Sequence, residues 1–304
     1  MKKKLQLLIL LFSTTILFAQ QDPQYTNYMF NPMLFNPAYA GSRGVFSVFG
    51  LHRSQWAGLD GAPITNCVSV NSPVGLKGVG MGLIINNDKL GPSVENNISA
   101  NFSYSIYFSN LSTLSFGLKA SLDVLNVDYS KLSFYDPSDP RYQYNINNQV
   151  SPNFGAGLYW YSYNYYLGFS IPNFLETKHY NDEIVSTKTD HLHYYFVGGY
   201  IFTVTSTIEY KPAFLTKVIQ GGKVQVDLTS NFRFYEKFEI GASYRISGAV
   251  SGVASFQLTP GLLIGYSYDA ETSRLANYNS GTHEFFLRLE LPEKGKIIES
   301  PRFF

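Results

Sequence analysis

The sequence predicts an all-β protein, a transmembrane antiparallel β-barrel of about fourteen strands. Three observations predict it: an export-type leader, a weakly charged and aromatic-rich remainder, and long segments in which apolar and polar residues alternate. A barrel strand turns apolar side chains to lipid and polar ones to the lumen over about ten residues. Residues 94–108, VENNISANFSYSIYF, follow that rule. Val94, Ile98, Ala100, Phe102, Tyr104, Ile106 and Phe108 share one face, and Glu95, Asn97, Ser99, Asn101, Ser103 and Ser105 the other.

The leader comes first. Residues 1–19, MKKKLQLLILLFSTTILFA, begin with three lysines, continue with an apolar stretch from Leu5 to Phe18 and end on the small Ala19. This is the layout of a secretory signal peptide, with cleavage expected after Ala19. The alternative, an uncleaved anchor, is disfavoured because the apolar stretch falls short of the ~20 residues of a spanning helix. No second long apolar run follows, which excludes a helical membrane protein. The single cysteine, Cys67, excludes an intrachain disulfide and a cysteine-built metal site. With 16% aromatic residues, 15% charged residues and a formal net charge of +1, nothing electrostatic favours nucleic acid as a partner. An exported chain of this composition suits lipid, and the Gram-negative outer membrane is spanned by closed barrels.

The predicted strands begin with 45–56, 64–72, 79–85, 94–108 and 113–125. After a gap come 153–161, 164–171, 193–202 and 207–218, then 223–234, 238–246, 249–258, 261–269 and 282–291. The first, third and eighth alternate weakly. A soluble β-sandwich is the competing fold, but its strands run about 5–6 residues, shorter than the best segments here. Connection lengths supply a second test. The longest, 126–152, 172–192 and 270–281, all follow odd-numbered strands, whereas 109–112, 162–163, 203–206, 235–237 and 259–260 follow even ones. Long loops on the outer side and short periplasmic turns produce that parity. The chain divides into a leader (1–19), an N-terminal periplasmic segment (20–43), the barrel (44–291) and a periplasmic C-terminal tail (292–304).

Residues 31–41, NPMLFNPAYAG, repeat Asn-Pro at Asn31-Pro32 and Asn36-Pro37 and run through Tyr39 to Gly41. Each proline fixes φ and biases the preceding asparagine away from helix, so a compact, turned segment is expected. Asparagine side chains would bond nearby backbone. Its apolar groups, Tyr28, Met29, Phe30, Met33, Leu34, Phe35 and Tyr39, need burial. Two placements satisfy this: folding into the periplasmic mouth as a partial plug, or lying as an arm along the barrel rim.

Candidate chemistry is sparse, and no cofactor is implied. His191 and His193 share a strand face and could hold a metal, but no third ligand is visible. Asp269, His283 and Glu284 form a candidate polar cluster at the outer rim. Ser267 and His283 would have to be forced into a hydrolase dyad. The predicted lumen carries six bases, Lys119, Lys211, Lys217, Arg233, Arg245 and Arg288, against six acids, Glu95, Asp123, Glu209, Asp227, Glu239 and Glu290. Balanced signs fit paired charges in a closed interior better than an ion-selective pore.

Several blocks resemble one family. The run QDPQYTNYMFNPMLFNPAYAGSRG, then LHRSQWAGLDGAP and INNDKLGP, is similar to the start of the PorP/SprF family of outer-membrane proteins. YLGFSIPNF, HYYFVGGYIF, IGASYRISG, IGYSYDAETSRL and GTHEFFLRL resemble its later blocks in the same order. One departure is KPAF, with Ala213 where the family shows serine. The resemblance implies a non-enzymatic outer-membrane component of type IX secretion that assists export of cargo carrying a C-terminal targeting domain, gliding adhesins among them. On that reading the outer loops would offer Tyr129, Tyr135, Tyr142, Tyr144 and Tyr180 as contacts, since tyrosine is enriched at interfaces. The alternative is an outer-membrane channel or transporter for a small or hydrophobic solute.

Overall fold

A computed structural model describes residues 24–75, 77–108, 111–132, 144–175, 192–219, 222, 224–246 and 248–291. The first strands are β1 (Phe46–Ser54), β2 (Ile64–Pro73), β3 (Val79–Leu90), β4 (Ser93–Tyr107) and β5 (Thr113–Val127). They are followed by β6 (Ile146–Tyr161), β7 (Tyr165–Ile171), β8 (His193–Tyr200), β9 (Phe202–Thr205) and β10 (Ile208–Ile219). The last are β11 (Gln225–Phe234), β12 (Phe238–Arg245), β13 (Ala249–Thr259), β14 (Leu262–Glu271) and β15 (Thr282–Leu291). Both β8 and β9 pair with β10 and are parted only by Ile201, so they form one wall position. The wall therefore has fourteen strands, all antiparallel, and β1 pairs with β15 from Phe46↔Leu291 to Ser54↔His283 to close it.

Lipid dictates the outer face. Along β5, Phe116, Leu118 and Leu122 point outward, Leu118 being 63% exposed, while Ser115 and Ser121 are buried. Along β6, Phe154 is 55% exposed between buried Ser151 and Asn153 on one side and Tyr159 on the other. No helix among the described residues is long and apolar enough to cross a membrane; strands make the crossing. The three longest connections, 128–145, 172–192 and 272–281, leave from one end, called the loop end below; the opposite turn end carries short reversals. Long loops mark the outer side of such a barrel.

Two strands run further than predicted. β3 continues through Asn86, Asn87, Asp88 and Lys89, and β6 begins seven residues early, at Ile146 rather than 153. Both additions lie at the loop end; that of β3 is polar on both faces, and that of β6 mixes Asn147, Asn148, Gln149 and Ser151 with Ile146, exposed Val150 and Pro152. A strand that rises past the hydrocarbon is released from the apolar-out rule, so alternation cannot reveal it.

Residues 24–43 line the inside of the wall from the loop end to the turn end, a greater span than one mouth. They form three single 3-10 turns, Tyr28–Phe30, Pro32–Leu34 and Pro37–Tyr39. Pro32 and Pro37 each occupy a turn's first position, where a missing N–H costs nothing. Asn36 Oδ1 accepts from the Ala38 amide (3.0 Å) and its Nδ2 donates to the Leu158 carbonyl (2.9 Å). Asn31 instead donates to Ser69 Oγ on the wall (2.8 Å). Tyr28, Met29, Phe30, Met33, Phe35 and Tyr39 are buried and, with inward-facing Phe49, Leu51, Ile84, Tyr159, Val197 and Phe286, make the hydrophobic core. At about 1.5–3 kcal/mol for each fully buried large apolar side chain, this core is a substantial share of the stability.

Room for the segment comes from missing side chains. Gly117 and Gly157 pair across β5 and β6, and a Cβ on Gly117 would lie 2.1 Å from the Ala38 amide nitrogen. Gly41 ends the segment at φ +69°, where a side chain would be strained and would meet Gly80 Cα at 2.6 Å. Its amide donates to Asn71 Oδ1 at 3.3 Å.

Candidate functional site: the lumen and its loop end

The inward face of the barrel ends, on the loop side, in a buried ionic cluster. Arg53, near the end of β1, donates to Asp269 on β14 (2.9 Å) and Glu284 on β15 (2.8 Å). Period-two alternation aims all three inward, and the register Arg53↔Glu284 with Ser267↔Glu284 sets their neighbours. The N-terminal segment completes the cluster. Glu284 accepts from the Thr26 amide (3.2 Å) and the Asn27 amide (2.9 Å), and Thr26 Oγ1 donates to Asp269 (2.7 Å). Arg53 Nη1 lies 3.1 Å from Thr26 Oγ1. A carboxylate bonded to successive backbone N–H groups and a guanidinium is strongly held. Chemically the cluster fastens the N-terminal segment at Thr26 and Asn27.

Asp269 and Glu284 of the sequence-predicted rim cluster are thus brought together, but His283 is not with them. It lies one residue from Glu284 on a strand and therefore on the other face, where Nδ1 meets Tyr266 Oη at 2.8 Å among Tyr266, Tyr268 and Phe285. Ser267 is buried and accepts from Asn27 Nδ2 (2.8 Å). Ser267 and His283 are on opposite sides of the sheet and form no dyad. His193 faces inward beside Tyr195, and His191 lies outside the described residues. No cluster of three metal-capable side chains exists among the described residues.

Tyrosines named from sequence behave differently from one another. Tyr129 is buried in a small cluster with Leu125, Val127 and Ile146, at a 3-10 turn capped by Asp128. Tyr144 is 81% exposed at the loop end. Tyr135, Tyr142 and Tyr180 lie outside the described residues.

Lumen charges are largely paired: Arg233 with Glu209, Arg245 with Asp227, and Arg43 with Glu290, which Arg288 also approaches at 3.6 Å. Arg43 and Arg53 escaped the sequence reading. Arg53 shares its face with Phe49 and Leu51, so an apolar-out pattern assigns it no side; the signal that could have found it is the charge itself, in a strand otherwise apolar on that face. Above the segment the lumen opens as a cavity of about 140 Å³, floored by Tyr28, Leu34 and Phe35.

A closed antiparallel wall, apolar outside and filled inside with paired charges, defines an outer-membrane β-barrel protein. Solved structures agree on the fold. The outer membrane protein Omp33 of Acinetobacter baumannii is similar with a TM-score of 0.51 at 9% identity, over 81% of this chain and 98% of that one. The toluene transporter TbuX of Ralstonia pickettii is similar with a TM-score of 0.51 at 10% identity, over 87% and 93%. No curated protein matches the sequence. The chain belongs to the PorP/SprF family, whose description is type IX secretion system membrane protein PorP/SprF and whose pattern matches residues 17–289.

Proposed function

We propose that this outer-membrane component of type IX secretion is a non-enzymatic docking platform, not a conduit. Cargo with a C-terminal targeting domain meets the loop end, where the 128–145 connection presents exposed Tyr144. The secretion machinery meets the turn end and the tail 292–304. The signal peptide is removed after Ala19. One observation carries the reading: residues 24–43 pack through the lumen and are fastened at the loop end by Arg53, Asp269 and Glu284. A protein-sized substrate has no path through such an interior.

Two measurements test it. Gene deletion should abolish surface display of particular targeting-domain proteins; intact display of every one of them refutes the platform. In planar bilayers the intact protein should conduct little, and deletion of 21–42 should raise conductance; an unchanged conductance in a folded barrel refutes the closing role. The competing solute-transporter reading draws on the loop-side cavity and requires substrate-saturable flux into liposomes.

A further inference from the structure

We propose that the loop-side cavity is a binding site for one ring of an uncharged saccharide. This goes beyond secretion and does not depend on it. The cavity is lined by wall residues and, from the N-terminal segment, by Gln24, Tyr25, Tyr28, Leu34 and Phe35.

Its size, about 140 Å³, holds about one six-membered ring. Its polar lining is a set of oriented amides and carboxylates. Asn97 Nδ2 donates to Asp123 (2.5 Å), Gln24 Nε2 to Gln225 (2.9 Å), and Lys119 Nζ to Asn173 Oδ1 (3.3 Å). Groups held this way keep fixed directions, and an amide or carboxylate oxygen can accept more than one hydrogen bond. The floor is apolar and partly aromatic, with Phe35 stacked on Tyr195 at 5.7 Å. A pyranose offers the complement: hydroxyls around its edge and C–H groups on its faces.

Charge narrows the choice further. Glu95, Asp123 and Asp227 are matched by Lys119, Lys217 and Arg245, which holds Asp227 at 3.0 Å. A balanced site gives no Coulombic reward to an anion or a cation. Its polarity disfavours an alkyl chain, which would strip water from these groups without replacing it. A peptide strand needs a longer groove.

The test uses the full mature chain in detergent. Glucose, galactose, mannose and N-acetylglucosamine are titrated by saturation-transfer NMR, and the protein is applied to an array of immobilised glycans. Two variants accompany it: Asp123→Ala, which removes an acceptor, and Leu34→Trp, which fills the cavity from below. Heat-modifiable mobility on gels verifies the barrel in each. The expected result is saturable binding of at least one sugar, weakened about tenfold or more by Asp123→Ala, the worth of a hydrogen bond to a charged group, and abolished by Leu34→Trp. Binding on the array alone, lost in Leu34→Trp, supports the site with a surface glycan as the source. No saturable binding in either format, or binding unaffected by Leu34→Trp, overturns the proposal.

Discussion

Replacing Arg53 with methionine tests the fastening of the N-terminal segment. Arg53 is 2% exposed, and its two carboxylate partners are buried with it. Methionine retains most of the apolar stem, so the change removes charge and donors with little loss of packing. Two carboxylates would then stay in the interior without their cation, and breaking a buried pair this way costs about 3–5 kcal/mol. The Thr26 and Asn27 amides still bond Glu284, but the two like charges, deprived of the guanidinium between them, repel. Two tryptophans permit the assay: Trp56 donates to Glu271 at the loop end (3.3 Å), and Trp160 sits outward near the turn end. In a Trp56→Phe background, urea unfolding in detergent followed at Trp160 should show that loss of stability. Adding Asp269→Asn and Glu284→Gln removes the stranded charge and should recover about 1–3 kcal/mol, because residues in one network are not additive. A loss below about 1 kcal/mol, the range of solvated surface pairs, or no recovery in the triple variant, would refute the view that these groups act as a buried unit.

Other consequences can be checked alongside. Gly117→Val places a side chain against the Ala38 backbone and should lower the unfolding midpoint and raise bilayer conductance, whereas outward Gly50→Ala, whose nearest neighbour would be Leu287 at 3.6 Å, should be neutral within about 0.5 kcal/mol by urea titration. His283→Phe should cost only the Tyr266 hydrogen bond, about 1 kcal/mol; a fall as large as that of Arg53→Met would put His283 in the buried cluster. At the β5–β6 loop, the Ser130 hydroxyl, then the Lys131 ammonium, hold the Asp128 carboxyl below its ordinary 3.8. A depressed acid stabilises above its unfolded pKa and loses that contribution as pH falls through the depressed value. The Ser130 amide's exchange rate, divided by its intrinsic rate at each pH, should therefore show more protection at neutral pH than below the ordinary carboxylate range; protection independent of pH would refute it.

The weakly alternating strands show where sequence reading stops. Residues 45–56, 79–85 and 193–202 alternate weakly, and the structure gives them a common cause. Their inward faces carry Phe49 and Leu51, Gly82 and Ile84, and Tyr195 and Val197, all packed on the N-terminal segment. A lumen lined against an apolar segment cannot show polar-in alternation. The same contacts explain why the Asn-Pro repeat was legible as a turned segment while its depth was not: proline fixes local dihedrals, but only wall glycines such as Gly117 reveal how close it lies.

The sequence by itself determined the export-type composition, the strand order, the lipid-facing side chains and the gathering of the long connections at one end. Hydrocarbon acts on each residue separately, and so leaves its mark residue by residue. Tertiary structure alone decided that Arg53 meets Asp269 and Glu284, and that residues 24–43 pass through the lumen. The Arg53 pairs join positions more than two hundred residues apart, Asp269 at a separation of 216 and Glu284 at 231. Their energies depend on register and closure of the whole wall, which no local pattern encodes.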